Sequence, residues 1–140
     1  MIKIFNTITK NHEETENLGF KFSKQISKGD IITLNGDLGS GKTTFVKGVL
    51  KGLSYTEEVT SPTYTLINEY NALYNIIHID CYREKKIDRW LNIGLLDYFE
   101  TDGIFFIEWA ENIKDLLPKK TIDLFFHILN SNDRLIKYNE

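Results

Sequence analysis

The sequence predicts an α/β fold: a three-layer core with a mixed, mainly parallel sheet and antiparallel edge strands. Three observations carry that prediction. Segments of strand and helix character alternate along the 140 residues, the order expected of helices packed on a sheet. "GIFFIEW" is apolar nearly throughout, as strands buried on both faces of a parallel sheet are. "DIITLNG" runs directly into a glycine-rich turn, and a helical apolar stripe follows it.

Each element has its own local reason. "IKIFNTI" (Ile2–Ile8) reads as an extended opening segment. Asn11 and Glu14 have the spacing of an N-cap and its N3 partner. Leu18, Phe22 and Ile26 then fall at i, i+4 and i+8, which predicts an amphipathic helix ending near Gly29. "DIITLNG" is a short buried strand, and Phe45, Val46, Val49, Leu50 and Leu53 mark the stripe of a second helix. "TYTLINEY" and "YNIIHID" read as two strands joined by a turn around Asn71. "EKKIDRWLNIGLLDYFE" predicts two short helices broken near Gly94. "GIFFIEW" is a strand, and "AENIKDLLP" is a short helix stopped by Pro118. "TIDLFFHILN" and "RLIKY" close the chain as a hairpin around Ser131–Asp133.

Composition bounds the function. The length suits one domain spanning residues 1–140. Apolar residues at 41% and charged residues at 26% describe an ordinary soluble domain. A net charge of −3 offers nucleic acid no bulk attraction. No apolar run reaches the roughly 20 residues that span a bilayer. No basic-then-apolar leader stands at the N-terminus. Cys81 is the single cysteine, so no internal disulfide framework exists. The expected location is cytoplasmic, with no membrane partner.

The chemistry concentrates in "GDLGSGKTTF", Gly36–Phe45. Gly36, Asp37, Leu38, Gly39, Ser40, Gly41, Lys42 and Thr43 match G-x-x-x-x-G-K-[ST]. A loop of this kind turns so tightly that successive backbone N–H groups converge on phosphate oxygens. Glycine permits the dihedrals and the close approach. The following helix adds the positive end of its dipole, Lys42 a point charge, and the Thr43 hydroxyl a Mg²⁺ ligand. A bare match occurs by chance, but here a strand precedes it and a helix follows. The expected core is therefore P-loop NTPase-like, binding a nucleoside triphosphate with Mg²⁺.

A magnesium–triphosphate site needs an acid at the end of a neighbouring strand. Glu108 ends "IFFIE" and Asp80 ends "IIHID". Alternation puts His78, Asp80 and Tyr82 on one face of their strand and Ile77, Ile79 and Cys81 on the other. A histidine in such a place is most often a hydrogen-bonded core residue, and Cys81 a small buried apolar one. Trp109 fits either the core or a position beside a nucleotide. "TSPTYT" (Thr60–Thr65) crowds hydroxyls around Pro62. It fits a loop that senses a γ-phosphate, and equally a threonine-rich entry into a strand.

Six motifs now stand in fixed order: "ETENLG", "LNGDLGSGKTTFVKGVLKGL", "VTSPTYTLINEY", "HIDCYR", "GLLDYF" and "IEWAEN". Together they resemble the TsaE (YjeE) family, the ATPases needed in bacteria to make threonylcarbamoyladenosine in tRNA. The resemblance covers nearly the whole chain and is loosest after Leu117. It implies a compact ATPase, weak alone, that works with TsaD and TsaB, TsaD being the threonylcarbamoyl transferase. Hydrolysis would reset that complex between turnovers, and tRNA would be met only through it. The resemblance also implies residue roles. Lys42 and the loop through Thr44 would hold phosphates, and Thr43 and Glu108 would be the Mg²⁺ ligands. Asp80 and Glu108 would be the catalytic acids. "SPTYTL" would be the switch-like loop, with Thr63 and Thr65 nearest the action. The segment around His12–Thr15 and Arg134 would lie beside the purine or ribose. "LSYTEE" departs from the family's more usual glycine after the second helix, which alters a turn and not the chemistry.

Two rival enzymes fit less well. A small-molecule kinase needs an arginine-bearing lid, and this chain has only Arg83, Arg89 and Arg134. A guanine-specific switch needs Asn-Lys-x-Asp, whereas "NIKD" (Asn112–Asp115) has another order. A third reading is a nucleotide-dependent binding module. Its mark would be partner binding that survives loss of the hydrolytic residues.

Overall fold

In the computed structural model, which describes residues 2–139, strands and helices alternate around one mixed sheet. The strands are β1 (Phe5–Thr9), β2 (Ile31–Asn35), β3 (Ile67–Asn71), β4 (Asn75–Asp80), β5 (Ile104–Glu108), β6 (Ile122–Ile128) and β7 (Arg134–Tyr138). They form a 7-stranded sheet in the order β1-β7-β6-β2-β5-β4-β3. The central strands β6, β2, β5 and β4 run parallel. The outer pairings β3–β4, β6–β7 and β1–β7 are antiparallel. The predicted α/β class, with its antiparallel edges, is the observed one.

Helices α1 (His12–Phe22) and α2 (Lys42–Gly52) cover one face of the sheet. Helices α3 (Ile87–Asn92), α4 (Leu95–Phe99) and the 3₁₀ segment Ala110–Leu116 cover the other. Period-two alternation sorts the strands between the two cores. Ile32, Leu34, Ile104 and Phe106 join Phe45, Val46, Val49 and Leu50 of α2 on the first face. Ile31, Ile77, Ile79, Phe105 and Ile107 join Trp90 and Leu95 on the second. Each fully buried large side chain contributes about 2 kcal/mol of transfer free energy.

Three boundaries differ from expectation. α1 ends at Phe22, not near Gly29. Ser23 donates its hydroxyl to the Phe20 carbonyl, and the chain tightens into i→i+3 turns through Gln25. Ile26 still reaches the core, so its i+8 spacing marked burial and not helix. β3 begins at Ile67 rather than in Thr63–Thr65, because those residues turn and the Leu66 N–H donates back to the Pro62 carbonyl. The β3–β4 turn runs through Ala72–Tyr74, while Asn71 still pairs with Asn75. Pro118 ends the 3₁₀ segment as expected: Leu117 before it is extended at φ −72°, ψ 143°. Among the described residues, no helix is long and apolar enough to cross a membrane.

Candidate functional site

The parallel strands end their C-terminal sides together, where ligands of open α/β sheets bind. β2 leads there into the loop Gly36–Gly41, and α2 leaves it. Register fixes the neighbours: Glu108 lies opposite Leu34 on one side and Asp80 on the other. Phe106 precedes Glu108 by two residues and packs in the α2-side core. Alternation therefore turns the Glu108 carboxylate toward the loop.

The loop owes its shape to glycine. Gly39 and Gly41 have φ of 80° and 102°, a region that L side chains rarely adopt. Gly41 stands at the N-cap of α2, and no side chain caps that end. The contrast with α1 is informative. There Asn11 accepts from the Glu14 N–H at 2.9 Å, and Glu13 and Glu14 occupy the first turn. α2 has no cap and no acid in its first turn. Its first N–H groups have no intrahelical acceptor.

Four ionisable groups sit behind the loop, each nearly excluded from solvent: Lys42 is 5% exposed, Glu108 4%, Asp80 3% and His78 0%. Lys42 Nζ donates to the Gly36 carbonyl at 2.5 Å and lies 3.7 Å from Glu108 Oε1. It also sits 4.8 Å from the Trp109 ring centroid, a cation–π distance. Glu108 Oε2 meets His78 Nε2 at 2.7 Å. Asp80 Oδ2 accepts from the Thr63 hydroxyl at 2.9 Å, and Oδ1 from the Tyr82 N–H at 2.8 Å. Next to Asp80, burial first and then the Asp80, Glu111 and Glu108 charges push the Cys81 thiol far above its ordinary value.

These groups open into a cleft of about 310 Å³. Of the residues expected at the site, His12, Leu38, Gly39, Gly41, Lys42, Thr43, Thr44, Asp80, Glu108 and Arg134 line it. Arg134 crosses from β7 to donate Nε and one terminal nitrogen to the Gly39 carbonyl, at 3.2 and 3.0 Å. Gly36, Asp37 and Ser40 belong to the loop but not to the cleft wall. A Cβ on Gly36 would lie 2.6 Å from the Phe126 carbonyl oxygen, so that glycine serves packing. Thr63 lines the cleft, but Thr65 does not: its hydroxyl donates to Asn68 Oδ1 at 2.6 Å.

Sequence reasoning left some of the wall unassigned. Asn11 was expected only as a helix cap, yet it lines the cleft, as do Ser131 and Asn132 of the β6–β7 turn; Ser61 lines it from the expected switch-like loop. Trp109 resolves as a half-buried neighbour of Lys42 that packs tilted against Tyr82, ring centroids 5.0 Å apart. His78 was readable in outline, since it shares the Asp80 face of β4; its partner Glu108 was not.

Residues 9–136 match the family described as threonylcarbamoyl adenosine biosynthesis protein TsaE. The tRNA threonylcarbamoyladenosine biosynthesis protein TsaE of Bacillus subtilis is 38% identical over 131 residues, covering 93% of this chain and 82% of that one. Its counterpart in Treponema pallidum is 32% identical over 129 residues, covering 92% and 96%. The crystal structure of Bacillus subtilis YdiB superposes with a TM-score of 0.82 at 34% identity, covering 99% of this chain and 86% of that one. Sequence and fold agree, and the chain belongs to the TsaE family.

Proposed function

We propose that this protein is a P-loop ATPase that cleaves ATP to ADP and phosphate with Mg²⁺. It would serve the bacterial machinery that makes N6-threonylcarbamoyladenosine in tRNA. The observation that carries the reading is the uncapped, acid-free start of α2 facing Lys42, Thr43, Asp80 and Glu108 across one cleft.

The residues fit the group they would hold. The positive-φ glycines and the free N–H groups of the first turn of α2 suit a polyphosphate. Lys42 supplies a cation already at the loop. Among the described residues, no set of three or more His, Cys, Asp or Glu side chains could hold a metal unaided. That is the pattern of magnesium, which keeps waters and shares phosphate oxygens with one or two protein ligands. Thr43 and Glu108 are those ligands in this proposal. Bound magnesium would neutralise charge developing on the transferred phosphoryl group. Asp80, held by Thr63 and Tyr82, orients the neighbouring loop and water. Arg134 and His12 border the purine or ribose side.

Without an arginine-bearing lid, the acceptor is water and not a second substrate. ATPase activity alone is then weak, and TsaD- and TsaB-type partners stimulate it. Hydrolysis resets their complex, tRNA is met through that complex, and the protein works in the cytoplasm. Reconstitution tests the proposal: TsaD- and TsaB-type proteins, tRNA and an activated threonylcarbamoyl donor, with and without this protein. Sustained multiple turnover should require it and be lost with Lys42→Ala. Undiminished turnover in its absence overturns the reading.

A further inference from the structure

One buried ionisable side chain has no part in the chemistry above. His78 lies within β4, on the face it shares with Ile76 and Asp80, and is 0% exposed. It stands between Asn68 of β3 and Phe106 of β5 in the sheet register. Its Nε2 is 2.7 Å from Glu108 Oε2, and its Nδ1 has no hydrogen-bond partner. The other Glu108 oxygen, Oε1, is 3.7 Å from Lys42 Nζ. The two oxygens of one carboxylate are thus distinguished. One is gripped from inside the sheet, and the other faces the phosphate loop.

We infer that His78 is a positioning residue for the hydrolytic step. Its Nε2–H fixes the Glu108 carboxylate so that Oε1 is presented to Lys42 and the cleft. The inference rests on the ATPase reading for its consequence, but not for its geometry.

Three physical points support it. First, the terminal torsion of a glutamate is broad and roughly two-fold, so packing alone does not set where its oxygens point. The Lys42 contact at 3.7 Å is too long to set it either, since charge-assisted N–H···O bonds fall near 2.7–2.9 Å. The bond to His78 is within that range. Second, the donor is suited to its task. An imidazole presents one N–H to the carboxylate from a short, rigid ring, where a lysine would reach on a flexible stem. At 2.7 Å the proton between the two groups sits on Nε2, since a bare ring nitrogen there would set its lone pair against those of the carboxylate. Third, an apolar side chain would fill a purely structural core position at lower cost than a ring with an unpartnered nitrogen. The imidazole is accounted for by the one bond it makes.

The test compares wild-type protein, His78→Leu and His78→Gln in steady-state ATP hydrolysis, in equilibrium binding of a non-hydrolysable ATP analogue, and in thermal unfolding. Loss of such a supporting bond typically lowers activity by about 10- to 100-fold. His78→Leu should lower kcat by about tenfold or more and leave analogue affinity within about twofold. His78→Gln carries an amide donor at similar reach and should recover most of the rate. A kcat for His78→Leu within twofold of wild type, or a glutamine variant as slow as the leucine variant, overturns the inference. Histidine ¹⁵N spectra of the wild-type protein supply an independent arm that requires no variant to fold. His78 is expected to carry a slowly exchanging proton on Nε2; a ring protonated at Nδ1 alone overturns the assignment. Absence of any ATP hydrolysis by wild-type protein, alone or with partners, would instead sink the ATPase reading and leave the spectra to decide the role of His78.

Discussion

The Thr63 hydroxyl donates to Asp80 Oδ2 across 2.9 Å, and the link ties a loop to the end of a central strand. The two ends of the loop are held by β3 and β4: Asn68 and Tyr70 donate to the Thr60 carbonyl, the Thr65 hydroxyl donates to Asn68, and the Asp80 N–H donates to the Leu66 carbonyl. Ser61 and Thr63 share a hydroxyl contact of 2.8 Å, and the Leu66 N–H closes a turn on the Pro62 carbonyl. Asp80 is therefore both a wall of the cleft and the anchor of a loop on its rim. Thr63→Val keeps shape and removes the donor. A hydrogen bond to a charged group is worth about 1.5–3 kcal/mol, and partial exposure of Thr63 brings the expected loss to about 1 kcal/mol. Urea denaturation should report that loss, and amide exchange in Thr63–Thr65 should quicken. Unaltered exchange would show that the loop does not depend on Asp80.

Arg134 acts on the phosphate loop from β7, which β6 separates from β2 in the sheet order. Two of its nitrogens converge on the single Gly39 carbonyl. That grip holds Gly39 at its positive φ next to the helix start. Arg134→Ala should weaken ATP binding by about tenfold, equivalent to about 1.4 kcal/mol, with a smaller effect on kcat. Arg134→Lys should recover little, because an ammonium lacks the planar fork. Titration calorimetry with ATP and with a non-hydrolysable analogue measures both. Wild-type affinity in Arg134→Ala would free the loop from this residue.

Cys81 gives a pH-dependent prediction. Burial, aided by Asp80, Glu111 and Glu108, holds the thiol protonated well above its ordinary range. Only the thiolate attacks thiol reagents. The folded protein should therefore resist alkylation at pH 8 and release one reactive thiol on denaturation. The linkage has a definite sign. Above about pH 8.5 the unfolded chain loses this proton and the folded chain keeps it. This group therefore contributes a stability that falls as pH rises past that point. Rapid labelling of the native protein at pH 8 would contradict the burial of Cys81.

Much of this architecture is legible in the sequence, because local chemistry decides it. The Asn11–Glu14 spacing is a real N-cap, and the run Ile104–Glu108 is a strand buried on both faces. The glycine loop announces its own geometry, since only glycine accommodates Gly41 at φ 102°. What stayed hidden is set by pairing between distant segments. Periodicity carried α1 to Ile26, but a serine bonding back to Phe20 ends it sooner. Thr65 looked equivalent to Thr63 until Asn68 captured its hydroxyl. The His78–Glu108 contact joins residues brought together because β4 and β5 are parallel neighbours, with Asp80 opposite Glu108. No spacing along the chain records that adjacency.

The crossing of α1 and α2 supplies a prediction in which two principles give opposite signs. Gly48 lies inside α2 and is buried. Helix propensity alone says that Gly48→Ala should stabilise by about 1 kcal/mol. Packing says the reverse. A Cβ at Gly48 would collide with the backbone oxygen of Glu16, and one at Gly19 with the backbone oxygen of Phe45. The two helices touch backbone to backbone at these glycines, and a methyl group must push them apart. Overpacking of this kind costs about 1–3 kcal/mol, and a backbone obstacle places the cost at the upper end. Packing wins, so Gly48→Ala should lose about 2 kcal/mol net in chemical denaturation. Because α2 begins at Lys42, the displaced helix should also carry its N-terminus off register and weaken ATP binding. A more stable Gly48→Ala protein would mean that the helices are not in backbone contact, and the placement of the phosphate loop over Glu108 would need to be redrawn.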